Sequence, residues 1–208
     1  GVTTNHEIAA MNLLANHPTF RRFQVALPKE PANPYVDPKA IEWACLHLGA
    51  DDVGCVDIDR PEVADQRADI LALLPRARTL ISFVVRTNPE AIRAPARSVG
   101  NVEFHHAGDR VNEVGRRIAA HLAERGIRAL NATMGFPMEA DRWPNQMWVV
   151  SHKPIAVAAG LGQVGIHRNV IHPRFGSFIL LGTVVTEARV EAPVRTLDFN
   201  PCLECKLC

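Results

Sequence analysis

The chain has 208 residues, and 47% hydrophobic content over that length is enough for one domain with a substantial core. Its 23 basic and 22 acidic residues nearly cancel, and no basic stripe interleaves with aromatics, so nucleic-acid binding has no electrostatic footing. No run approaches the roughly 18 apolar residues of a membrane span; five cysteines, an odd count with no export signal before them, argue against a disulfide framework, and the same lack of a signal favours the cytoplasm.

Residues 1–36 read as an N-terminal arm, because Pro28, Pro31 and Pro34 remove donors and fix φ. Asp37-Pro38 is an N-cap with proline at the first helical position, and the helix it opens carries Ile41, Cys45 and Leu48 on one face and stops at Gly49. A short strand is expected from Val53 to Ile58, then a helix from Pro61 with Val63, Ile70, Leu71 and Leu74 inward, then a buried strand from Arg78 to Val85. The spacing of Val111, Val114, Ile118 and Leu122 predicts a helix over Ala107 to Arg125, ended by Gly126, with His105-His106 at or before its start. A strand over Ile127 to Thr133, a helix from Ser151 through Ala159 and a strand over Gly176 to Val185 come next. Helices and strands mix throughout, which argues for an α/β or α+β fold. Pro193 to Asn200 reads as a connector.

The connector delivers Cys202-Leu-Glu-Cys205-Lys-Leu-Cys208. Its two gaps match the first three ligands of a bacterial ferredoxin run, C-x2-C-x2-C-x3-C-P, and thiolates are what soft iron–sulfur chemistry requires. Zinc held with a histidine, or ordinary thiols, are the alternatives at this spacing. The run reaches the last residue and the first is Gly1 rather than Met, so a trimmed fragment is expected. Cys45 and Cys55 read as small core residues.

Gly160-Leu161-Gly162-Gln-Val-Gly165 satisfies G-x-G-x-x-G, but a dinucleotide fingerprint needs a strand before the glycines and a helix after them. Here a helix precedes the glycines, and Pro173 breaks the segment after them. The glycines therefore make a tight turn with φ > 0, or line a backbone cradle for a large planar ligand. His167 and His172 flank the turn; Trp143 and Trp148 read as core.

Lys153 to Thr186, followed by the spaced cysteines, resembles the epoxyqueuosine reductases and reductive dehalogenases. In those families a basic residue, an alanine-rich stretch and A-G-L-G-x-x-G precede a loop, an apolar strand and ferredoxin-type cysteines. Leu48 to Gly54 and Leu74 to Ile81 fit more loosely. The resemblance implies an α+β fold, an α/β/α sandwich related to flavin nitroreductases. It divides the chain into the arm at 1–36, a cobalamin-binding domain at 37–195 and the start of a ferredoxin-like 4Fe-4S module at 196–208. It implies Cys202, Cys205 and Cys208 as cluster ligands, and Gly160, Leu161, Gly162, Gly165, His167 and Asn169 as lining a cobalamin. It implies electron flow from a 4Fe-4S cluster to cobalt for a reductive step on an unknown small-molecule or modified-base substrate, with an external electron donor. A cobalamin-binding or trafficking protein without turnover and a flavin-dependent reductase are the alternatives. One departure stands out: Gln146 occupies the place of the catalytic aspartate of epoxyqueuosine reductases, with Asp141 and Glu139 the nearest carboxylates, so no proton donor is assigned.

Overall fold

Asp37 accepts a hydrogen bond from the Lys39 N–H at 3.1 Å with Pro38 behind it, so the expected N-cap starts helix α1 (Pro38–His47). The helix buries Ile41 and Cys45 and is released at Gly49, whose φ of 111° is a glycine conformation. The computed structural model in which this is seen describes residues 34–132, 150–193, 195–198 and 201–204, with Pro18. The chain divides into Gly1–Ala32 and Asn33–Cys208, and α1 and the helices and strands described below belong to the second unit.

Strand β1 (Asp52–Asp57) leads into a 3-10 turn over Pro61–Gln66 and helix α2 (Arg67–Leu73). Strand β2 (Thr79–Arg86), short helix α3 (Pro89–Arg93), long helix α4 (Arg97–Ala123) and strand β3 (Ala129–Ala132) come next. Helix α5 (His152–Ala158), the small strands β4 (Gln163–Val164) and β5 (Val170–Ile171), strand β6 (Ile179–Thr186) and a last turn α6 (Pro201–Glu204) complete the order. The main sheet runs β1-β2-β6-β3 with every neighbouring pair antiparallel, while β4 and β5 pair only with each other.

The period-2 geometry of β2 sorts its side chains onto two faces. Leu80 and Val84 join Val56, Ile70, Ile155 and Leu161 on one side; Ile81, Phe83 and Val85 join Ile41, Val111, Ile118 and Leu122 on the other. Helices α2 and α5 thus cover one face and α1 and α4 the other, which is the α/β/α layering expected. Burial of both faces explains why β2 and β6 read as nearly continuous apolar runs, interrupted only by the small buried Ser82 and Thr183 between their ends. At the centre, Gly182 lets Phe83 lie flat on the sheet, since a Cβ there would stand 2.2 Å from the Phe83 ring.

Two local expectations are corrected. Helix α4 begins at Arg97 rather than Ala107, so His105 and His106 stand exposed within it, not at its start. Ser151 precedes α5 but makes no side-chain cap; instead Gln66 grips its backbone, accepting from the Ser151 N–H at 2.9 Å and donating to its carbonyl at 3.3 Å. The expected strand over Ile127 to Thr133 is present as β3, with Thr133 outside the described residues.

Candidate functional site

Helix α5 ends as the glycine run begins. The Gly160 and Leu161 N–H groups bond back to the Val157 and Ala156 carbonyls at 2.9 Å each, and Gly160 takes φ 69°. The chain then forms the β4–β5 hairpin, so no helix opens at the glycines and the dinucleotide reading has no geometric basis here. The glycines answer to the protein itself. A Cβ on Gly160 would lie 2.3 Å from the Arg195 Cβ, one on Gly162 2.5 Å from the Ile171 carbonyl oxygen, and one on Gly165 2.7 Å from the Ile171 side chain. Leu161 is wholly buried in the core.

The tip of the hairpin is where the expected site residues meet solvent. His167 and Asn169 are exposed, with Val164 and Ile166 beside them at 52% and 69% exposure. Arg168 holds φ 62°, and Lys153 fixes this strained tip by donating to the Arg168 carbonyl at 2.8 Å and to Asn169 Oδ1 at 2.9 Å. His167 Nδ1 accepts from the Asn169 N–H at 3.1 Å.

Cys202, the first cysteine of the run, comes to this same tip. The Ile166 N–H donates to Cys202 Sγ at 3.4 Å, across 36 residues of sequence, and Gln163 Nε2 reaches the Leu197 carbonyl at 3.4 Å. Cys202 is half-buried and in no disulfide. An amide donor aimed at sulfur is the kind of bond that tunes iron–sulfur sites, so the surroundings of Cys202 are compatible with a cluster ligand. Cys205, Cys208, Gln146, Asp141, Glu139, Trp143 and Trp148 lie outside the described residues. Among the described residues no three His, Cys, Asp or Glu side chains converge as a metal site, and no helix is long and apolar enough to cross a membrane.

His172, the second flanking histidine, points away from the tip. It is 2% exposed, and its Nδ1 accepts from the Arg174 and Phe175 N–H groups at 3.1 and 3.3 Å. The proton therefore sits on Nε2, which donates to Asp52 Oδ2 at 2.9 Å. The other Asp52 oxygen accepts from Val53 N–H at 2.8 Å and from Arg195 Nη1 at 3.2 Å. Burial pushes the Asp52 carboxyl up, but the His172 hydrogen bond, the Val53 amide and Arg195 together outweigh it and hold it at about 2. Arg195 also approaches Glu42 Oε1 at 3.5 Å. No local pattern marks Asp52 or Arg195 in the sequence; the two are 143 positions apart.

Beside Arg195 a cavity of about 270 Å³ is lined by Ile41, Val53, Gly54, Cys55, Ala159 and Pro193 among others. Cys55, expected as a core residue, is half-buried on its wall, and burial pushes its thiol up to about 12, which leaves no thiolate nucleophile. The cavity is far too small for a corrin, and the missing Cβ atoms of the glycine run are used in packing. The described residues therefore do not enclose a cobalamin; what they offer a flat ligand is the open face of the hairpin tip.

No family model matches this chain. Over 154 residues it is 28% identical to an epoxyqueuosine reductase of Synechococcus sp. (strain CC9605), covering 70% of this chain and 42% of that protein. The chain thus spans less than half the length of that curated relative. A reductive dehalogenase whose structure suggests a mechanism for B12-dependent dehalogenation superposes with a TM-score of 0.58 at 18% identity, over 82% of this chain and 23% of the other. The epoxyqueuosine reductase of Bacillus subtilis superposes with a TM-score of 0.52 at 15% identity, over 80% and 49%. In sequence the chain is similar to an epoxyqueuosine reductase, and in fold it is similar to both epoxyqueuosine reductases and reductive dehalogenases.

Proposed function

We propose that the chain is the reductase domain of an iron–sulfur and cobalamin-dependent oxidoreductase, with Cys202, Cys205 and Cys208 as cluster ligands. The observation that carries the reading is the Ile166 N–H to Cys202 Sγ bond, which joins the glycine hairpin to the cysteine run. When bound, such a cluster supplies single electrons and a cobalamin supplies a reducible cobalt. The residues of this chain have supporting roles. The Ile166 amide donates to Cys202 Sγ, Lys153 holds the hairpin tip in its strained form, and exposed Val164 and Ile166 give a bound group an apolar, water-excluding contact. The likeness to a B12-dependent dehalogenase extends the proposal to a corrin laid on the open face of the tip, against Val164, Ile166, His167 and Asn169. An external electron donor and a substrate bound beyond that face complete the proposal.

Anaerobic reconstitution of the 208-residue chain with iron, sulfide and excess thiol, followed by desalting, tests it. We expect retained iron and sulfide, a broad visible charge-transfer absorption, and loss of both in Cys202→Ala. Iron that washes out of the wild type, or that Cys202→Ala retains equally, overturns the cluster reading. Titration of the same protein with cob(II)alamin, read by paramagnetic resonance, tests the corrin face: saturable binding supports it and no binding removes it.

A further inference from the structure

Residues 191–193 and 195–198 have no regular secondary structure and so no backbone ladder to hold them in place. Yet the hairpin-to-Cys202 bond requires this connector to arrive in register with the Ile166 amide. We infer that Asp52, held by His172, is the positioning residue for Cys202, acting through Arg195. The inference rests on the proposed function for its purpose, though not for its geometry.

An arginine at the surface pairs weakly as a rule, because ordering two mobile side chains offsets the attraction. Arg195 is more than a third exposed and would be an ordinary case if its partner were free to move. Asp52 is not. One oxygen is fixed by buried His172, whose tautomer is itself set by two backbone amides, and the other by the residue's own neighbour amide. The carboxylate is pre-organised before Arg195 arrives, so little further entropy is lost. The Glu42 contact is longer and reaches from a more exposed side chain, which makes Asp52 the principal anchor. Around that charge pair the backbone of Arg195 fills the notch left by Gly160, and Gln163 takes the Leu197 carbonyl two residues on. The anchors fall in chain order at 195, 197 and 202, each on the glycine hairpin or the edge strand β1 beside it. Asp52 thereby couples the β5 turn, β1 and the connector.

The test reads Cys202 itself in the reduced, iron-free chain, as the rate of alkylation followed by mass spectrometry. Asp52→Asn keeps the shape of the side chain and removes its charge. We expect alkylation roughly tenfold faster, the scale of one hydrogen bond between charged groups. Arg195→Ala gives a similar rise, and the double variant adds little to either, because both break one linkage. Ile118→Val, in the core on the other face of the sheet, lowers stability and leaves the rate unchanged. Wild-type rates in Asp52→Asn, a fully additive double variant, or an equal rise in Ile118→Val each overturn the inference. Iron retention by the wild type is scored separately. Coupled alkylation in a chain that holds no iron supports the anchor while removing the cluster reading. In a chain that does hold iron, a paramagnetic signal moved by Asp52→Asn and not by Ile118→Val supports both.

Discussion

Gly160 and Gly126 share nearly one positive φ, 69° and 73°, in opposite surroundings. A Cβ on Gly126 meets nothing within 4 Å, while one on Gly160 meets Arg195 Cβ at 2.3 Å and Arg195 O at 2.6 Å. Alanine at either position is subject to the left-handed penalty, about 1 kcal/mol. At Gly160 it must also displace the connector or its own turn, an overpacking cost of about 1–3 kcal/mol. Urea unfolding of the two variants should therefore give a loss of about 1 kcal/mol for Gly126→Ala and about 2–4 kcal/mol for Gly160→Ala, with m unchanged in both. Only Gly160→Ala should also speed alkylation of Cys202, since only there does the new methyl push on the segment that carries it. Losses equal to within about 0.5 kcal/mol, with equal alkylation, would refute the claim that glycine is needed at 160 for packing rather than for φ alone.

Two further predictions concern single groups. Asp52 sits at about 2 in the fold against an ordinary 3.8, so its contribution is complete above the unfolded value and is lost as pH falls from about 4 toward 2. Discounted for partial exposure, that is about 1 kcal/mol, and the acid-unfolding curve of Asp52→Asn should be flatter by this amount over that window; an unchanged slope would count against the network. Gly182→Ala would drive a methyl into the Phe83 ring, at 0% exposure in the middle of the sheet, and should lower the Tm by at least about 4 °C; a melt like that of the wild type would show that the β2–β6 contact relaxes freely.

Much of the fold was legible because its cues are local. The Asp37-Pro38 start, the apolar runs of β2 and β6, and the Val111 to Leu122 stripe each declare themselves within a dozen residues. The first ten positions of α4 did not, because Val99, Val102 and Phe104 face solvent and Ala96 offers no side-chain cap, so neither periodicity nor a start signal reaches back to Arg97. The hairpin and the cysteine run were both visible as motifs, but their meeting was not, since a bond from Ile166 to Cys202 has no spacing rule behind it. The anchor was least legible. Asp52 looks like one of a pair of acids after a helix, His172 like a loop histidine beside proline, and Arg195 like a charge in a connector; only the closed sheet edge makes them one network. The reason for glycine at 160, 162 and 165 was half legible: the need for φ > 0 at 160 comes from the turn, while the crowding by Arg195 and Ile171 depends on tertiary contacts.

Arg195 plugging the Gly160 notch bears on how this molecule can be divided. Covalent order invites a cut at about residue 195, between the sheet domain and the cysteine-bearing end of the sequence, as one would separate two beads on a string. A shortened chain ending there would lose the Leu197 grip on Gln163 and loosen the plug, leaving the wall of the neighbouring cavity open on one side. A graft of a foreign cysteine module should accordingly be joined beyond residue 198, so that the recipient keeps the whole strap. The seam that a protein engineer would respect is set by which surface each residue completes, and here the strap completes the domain from which it departs.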